Sequence, residues 1–147
     1  MMGKAVVRKI ANSYPEFYLP KGIQIYPNLA REQHDKYIKA LQWLGLNVDV
    51  VPADEKYPDC VFIEDTAVVH HGNALITNMG SDYRRGEIEE TKKYFQNTHQ
   101  LFEMKPPALL EGGDVMVTNN EVYVGISNVT NNSALEYLKL IFNSCKI

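Results

Sequence analysis

Residues 59–69 read DCVFIEDTAVV, and the meaning of this stretch decides the rest of the chain. Three acids, Asp59, Glu64 and Asp65, stand among apolar side chains suited to strands. Burying carboxylates in such company is costly unless a cation or strong hydrogen-bond donors meet them. One reading is therefore a site for a cation. On an extended backbone Glu64 and Asp65 would point to opposite faces, whereas Asp59 and Asp65 could share one; a turn would relax that count. The other reading is turn chemistry, with Pro58-Asp59 opening a strand and Glu64-Asp65 separating it from the next. Spacing leaves both open.

Downstream, residues 66–69 and 74–77 read as two strands joined at His71-Gly72-Asn73. Ser81 can cap a helix running to about Phe95, with Ile88, Thr91, Tyr94 and Phe95 inward. Residues 101–104 form a strand that stops before Pro106-Pro107. Residues 114–118 and 122–126 repeat the hairpin around Asn119-Asn120. A helix over 132–142 follows, burying Leu135, Leu138 and Ile141 or Phe142 on a sheet only partly present, which predicts marginal stability. Upstream, residues 5–10 read as a strand, 23–26 as a short second one, and 47–51 as a third. Between them Leu29, His34, Tyr37, Ile38, Leu41, Trp43 and Leu44 recur at roughly helical spacing, with Gly45 as the cap.

These units share a period of about fifty residues, each reading strand, strand, helix, strand. DTAVVHHGNALIT lies over DVMVTNNEVYVG. The expected organisation is one partial α/β domain over residues 1–147, with repeats at roughly 4–52, 59–105 and 111–147. Where the third repeat is due its last strand the sequence reads NSCKI, which suggests an incomplete array.

At 147 residues and 45% hydrophobic, the chain suits one folded domain rather than a disordered or fibrous class. A net charge of −3 supplies no basic field for nucleic acid. No apolar run is long enough for a membrane-spanning helix, and the start, MMGKAVVRKI, has no sustained apolar segment. Two cysteines make neither a disulfide framework nor a zinc site, and the four histidines are not spaced as metal pairs. The expectations are a cytoplasmic protein with no metal, no cofactor, no nucleic-acid partner and no membrane partner.

A second acidic corner, Glu111-Gly112-Gly113-Asp114, sits one period after Glu64-Asp65. Its glycines permit positive φ and close backbone approach, and symmetry turns both corners toward one axis. A Gly-Gly turn with solvated acids is the plainer account. Arg84 and Arg85 open a helix at the positive end of its dipole, which mildly favours a partner or ligand for one of them. Cys145 falls in a terminal segment expected to fray and is disfavoured as a nucleophile.

At AVVRKI, Leu19, AREQHDKYIKAL, VVPADEKYPDCVFIEDTAVV, ALIT, SDYRRGEIE, LLEGGDVMVT and VYVGIS the chain resembles the dimethylarginine dimethylaminohydrolase (dimethylargininase) family of the pentein, or guanidino-group-modifying, superfamily. The matches run in order over nearly the whole sequence. The resemblance implies an α/β fold of ββαβ modules, five to a ring, of which about three are here. It also implies attack of a cysteine thiolate on the guanidinium carbon of N-methylated arginine, with a histidine moving protons. Citrulline and methylamine or dimethylamine are the products. Leu19, Asp59, Glu64, Asp65 and Arg84 would contact substrate, and Glu111 would be a catalytic acid.

No position here matches the family's catalytic histidine or cysteine, and Val129 stands where a second substrate-binding arginine is expected. The chain alone is therefore expected to lack turnover. The alternatives are another pentein, such as an arginine or agmatine deiminase, or a non-catalytic protein that binds methylarginine or pairs with itself through open sheet edges.

Overall fold

The computed structural model describes residues 3–14 and 22–147, and Leu19 lies outside them. The chain forms two compact units, Met1–Ile63 and Glu64–Ile147.

In the first unit, strands β1 (Lys4–Arg8) and β2 (Asn47–Val51) pair in parallel, with Lys4 opposite Asn47 and Arg8 opposite Val51. Helix α1 (Pro27–Trp43) supplies the crossover that parallel strands need. Residues 23–26 form no strand. Tyr26 is extended (φ −106°, ψ 99°), the conformation favoured before a proline, and Pro27 then starts α1. The helix ends at Gly45 with φ +84°, as expected of a glycine cap.

The apolar set anticipated for α1 is too wide. His34, Ile38 and Leu41 are half-buried, but Leu29, Tyr37, Trp43 and Leu44 are exposed, Trp43 to 86%. Two strands cover only a narrow stripe of the helix. A cavity of about 540 Å³, lined by Lys9, Ile10, Arg31, His34, Asp35, Ile38 and Val50, lies beside that stripe.

In the second unit, β3 (Ala67–His70) and β4 (Asn73–Ile76) make an antiparallel hairpin. His70 opposes Asn73, so the loop is His71-Gly72, and both residues have positive φ (46° and 79°), as a two-residue turn of primed type requires. Helix α2 (Ile88–Phe95) then leads to β5 (Gln100–Glu103), parallel to β4. The second module repeats the plan. Strands β6 (Val115–Val117) and β7 (Val122–Val124) form a hairpin, and α3 (Ala134–Ile141) follows. Lys146 then makes a parallel bridge to Glu121, while Val122 N–H donates to the Lys146 carbonyl at 2.8 Å. Pairing thus occurs where the repeat calls for its last strand.

Both modules share one core. Leu138, Ile141 and Phe142 of α3 are buried with Val68, Leu75, Met104, Leu110 and Val122. Among the described residues no helix is long and apolar enough to cross a membrane.

Candidate functional site

The stretch DCVFIED is not strand. Tyr57, Cys60 and Phe62 each donate a backbone N–H to the carbonyl three residues earlier, and Ile63–Thr66 is a turn of 3₁₀ helix. Strand begins only at Ala67. The counterpart behaves likewise: Gly112–Asp114 is a 3₁₀ turn, and β6 starts at Val115. Each acidic corner is therefore a tight turn delivering the chain into the first strand of a hairpin.

The two corners touch. A Cβ on Gly112 would collide with the carbonyl oxygen of Glu64 and lie 3.0 Å from that of Ala67. A Cβ on Gly113 would lie 2.5 Å from Asp65 Oδ1, to which the Gly113 N–H donates at 3.1 Å. Neither glycine has positive φ. Close approach, not a left-handed backbone, is what requires them.

Asp65 is fixed from two sides. Gly113 holds Oδ1, and Arg84 Nη1 donates to Oδ2 at 2.7 Å. Arg84 is buried and forks onto Glu87, with Nε to Oε1 at 3.0 Å and Nη2 to Oε2 at 2.9 Å. Burial alone would lower the arginine's pKa, but hydrogen bonds and charge from Glu87 and Asp65 outweigh it and raise it above the ordinary value. Arg85 instead bonds the Met79 carbonyl and Asp82.

Glu111 is held by Ser81, whose hydroxyl donates to Oε1 at 2.7 Å and whose N–H donates to it at 3.2 Å. Oε2 takes no bond among the described residues. Ser81 was expected to cap the next helix; it stands at the N-cap position of the segment that follows, but its hydroxyl makes no capping bond and orients this acid instead. Residues 82–87 are 3₁₀ rather than α-helix, and α2 proper begins at Ile88.

Glu64 is exposed as a whole residue, contrary to the expectation of burial, and its carboxylate bonds its own backbone N–H but no other residue among those described. Its pKa is raised, chiefly by partial desolvation of the carboxyl group within this otherwise exposed residue and further by Asp65; a bond to its own backbone and the charge of Arg84 oppose this. Among the described residues, one arginine stands with the carboxylates of Glu64, Asp65, Glu87 and Glu111, so these five side chains carry an excess of negative charge.

Asp59 belongs to the first unit, where it is buried. Burial raises the pKa of Tyr14, and the charge of Asp59 raises it further. Val129 packs against Gly80, where any Cβ would clash with the valine backbone.

Two participants escaped sequence reading. Glu87 could have been found, since it stands three residues after Arg84 in a helical segment. Ser81 carried a signal only for capping. Among the described residues no group of three or more His, Cys, Asp or Glu side chains could hold a metal ion.

Repeated strand–strand–helix–strand modules whose acidic turns meet define an α/β protein of pentein type. A family model described as "N,N dimethylarginine dimethylhydrolase, eukaryotic" matches residues 11–144. The N(G),N(G)-dimethylarginine dimethylaminohydrolase of Pseudomonas aeruginosa is 39% identical over 105 residues, covering 69% of this chain and 41% of that protein. A crystal structure of a dimethylarginine dimethylaminohydrolase variant, an adduct with S-methyl-L-thiocitrulline, superposes with a TM-score of 0.90 at 30% identity, covering 97% of this chain and 57% of that one. A variant of the Pseudomonas aeruginosa enzyme complexed with citrulline gives 0.89 at 30% identity, over 97% and 58%. The chain belongs to the dimethylarginine dimethylaminohydrolase family. It spans about two-fifths of the curated Pseudomonas relative's length.

Proposed function

We propose that these residues form the guanidinium-gripping part of a hydrolase that converts N-methylated arginine to citrulline and methylamine or dimethylamine. The observation that carries the reading is the contact of the two acidic corners, which among the described residues leaves the Glu64 carboxylate hydrogen-bonded to no residue but its own, and Glu111 Oε2 without a bond, beside a fixed Asp65.

A guanidinium is planar, permanently charged and best met by carboxylates that accept its N–H groups pairwise. Glu64 brings a carboxylate that no other described residue hydrogen-bonds. Asp65 brings one whose direction is set by Arg84 and Gly113. Ser81 points Glu111 so that one oxygen remains for a ligand or for a histidine. Fixing the guanidinium carbon in this way is the positional part of catalysis, and it lowers the entropy cost of attack.

Arg84, which the resemblance assigns to the amino-acid end of the substrate, acts in this reading by holding Asp65. The resemblance gives Asp59 and Leu19 substrate contacts as well. It matches no residue here to the thiolate nucleophile or the catalytic histidine, so the chain binds without turning over.

Calorimetric titration with asymmetric dimethylarginine, with citrulline release followed in parallel, tests this. Binding without citrulline is expected, tighter for dimethylarginine than for arginine or agmatine. Glu64→Gln should weaken binding at least tenfold, the scale of one lost charge-assisted hydrogen bond. Unchanged affinity in both Glu64→Gln and Glu111→Gln would refute the reading.

A further inference from the structure

We propose that Cys145 and His70 form a thiol–imidazole pair that makes Cys145 a site of mixed-disulfide formation with small-molecule disulfides. The two lie at the far end of β3 from the acidic corners. His70 is the last residue of that strand, and four strand residues span about 13 Å.

The sequence placed Cys145 on a fraying tail, and the structure does not. Its N–H donates to the Phe142 carbonyl at 2.9 Å, and Lys146, the next residue, is bonded to Asn120 and Val122. The half-buried thiol packs against the core cluster. Its Sγ sits 3.4 Å from His70 Nε2. The imidazole is positioned in turn by the edge of Phe142, at 6.1 Å between ring centroids, and by His71 at 3.8 Å. Burial, and then the neighbouring His71, push the His70 pKa down, so the ring is a neutral acceptor for the thiol proton. Both anchors belong to the second unit, so the pair is built by the fold.

The thiolate, not the thiol, attacks a disulfide. The Sγ–H proton passes to Nε2 as Sγ attacks one sulfur of the incoming disulfide. The new S–S bond forms as the old one breaks, and the departing thiolate takes the proton back from the imidazolium. Cys145 is oxidised, the released half is reduced, and one protein thiol and one disulfide become one mixed disulfide and one free thiol. Cys60, the other cysteine, is fully buried; its sulfur accepts the Asp54 N–H and faces the Lys9 and Asp54 carbonyls, so it serves as an internal control.

The test incubates the folded chain with oxidised glutathione and follows adduct formation by intact mass, with peptide mapping to locate it. One adduct is expected, at Cys145 and absent in Cys145→Ser. His70→Gln should slow its formation at least tenfold, because the amide cannot take the thiol proton as the positioned imidazole does. Should His70→Gln fail to fold, the unmodified chain in urea replaces it, and native Cys145 should react faster than unfolded Cys145. An adduct at Cys60, an unchanged rate in folded His70→Gln, or a native rate no higher than the unfolded one would overturn the proposal.

Discussion

Replacing Glu87 by glutamine strikes the least exposed ion pair described. The Glu87 side chain is 0% exposed and that of Arg84 is 6%, and two parallel bonds of 3.0 and 2.9 Å join them. The amide keeps one acceptor but turns an NH₂ toward the guanidinium. One bond is lost, and the ion pair of Arg84 with Asp65, itself 16% exposed, remains. Breaking a buried pair from one side costs about 3–5 kcal/mol, because the surviving charge stays desolvated. Against a total stability of roughly 5–15 kcal/mol that is severe, and it should lower Tm by on the order of 10 °C. Thermal unfolding followed by circular dichroism measures it. Glu90→Gln is the matched control. Glu90 pairs with Lys93 at the same i, i+3 spacing, but with both side chains partly exposed, and should cost under about 0.5 kcal/mol. Equal melting of the two variants would refute the claim that Arg84 is held chiefly by buried charge.

Three further outcomes follow from the geometry. Gly112→Ala should destabilise by about 1–3 kcal/mol in urea titrations, since its methyl meets backbone on two sides, and it should also weaken guanidinium binding by displacing Glu64. Thr66→Val should cost about 1–3 kcal/mol by orphaning the Thr91 hydroxyl 2.7 Å away, whereas Thr66→Val with Thr91→Val should recover much of that loss. The raised pKa of Glu64 sets a pH dependence. Between the ordinary glutamate value and the raised one, the folded state holds a proton that the unfolded state has released. The contribution of Glu64 to stability therefore falls as pH rises through that window, and guanidinium affinity falls as pH drops through it. Titrations of binding and of stability against pH should both flatten in Glu64→Gln.

The fold was legible where periodicity and turn chemistry agree. NVDVV is a strand from Asn47 to Val51, His71-Gly72 turns the first hairpin, and Leu138 and Ile141 are core. Reading failed where apolar residues serve a turn rather than a strand. Val61, Phe62 and Ile63 look like ladder residues, yet the chain there satisfies its own N–H groups in successive tight turns. Residues 23–26 misled differently: Pro27 makes Tyr26 extended without giving the segment a partner strand.

At the site, the acids were visible as costly residues and the repeat joined Asp65 to Asp114. What sequence could not supply was their spacing in space. Gly112 and Gly113 are required because another backbone and a carboxylate lie against them, and no local property of Gly-Gly distinguishes that from a flexible bend. Ser81 likewise has the composition of a cap and the position of an orienting donor. Cys145 was undervalued because nothing in its flanks indicates His70, seventy-five residues earlier.

The central claim is that the joined acidic corners bind a guanidinium. Backbone amide chemical shifts, recorded on the isotope-labelled chain as asymmetric dimethylarginine is added, test it most directly. The account predicts saturable shifts at Glu64, Asp65, Ser81, Glu111 and Gly113, lost together in Glu64→Gln. Shifts confined to the cavity beside α1, or none at ligand concentrations that saturate other members of the family, would contradict it.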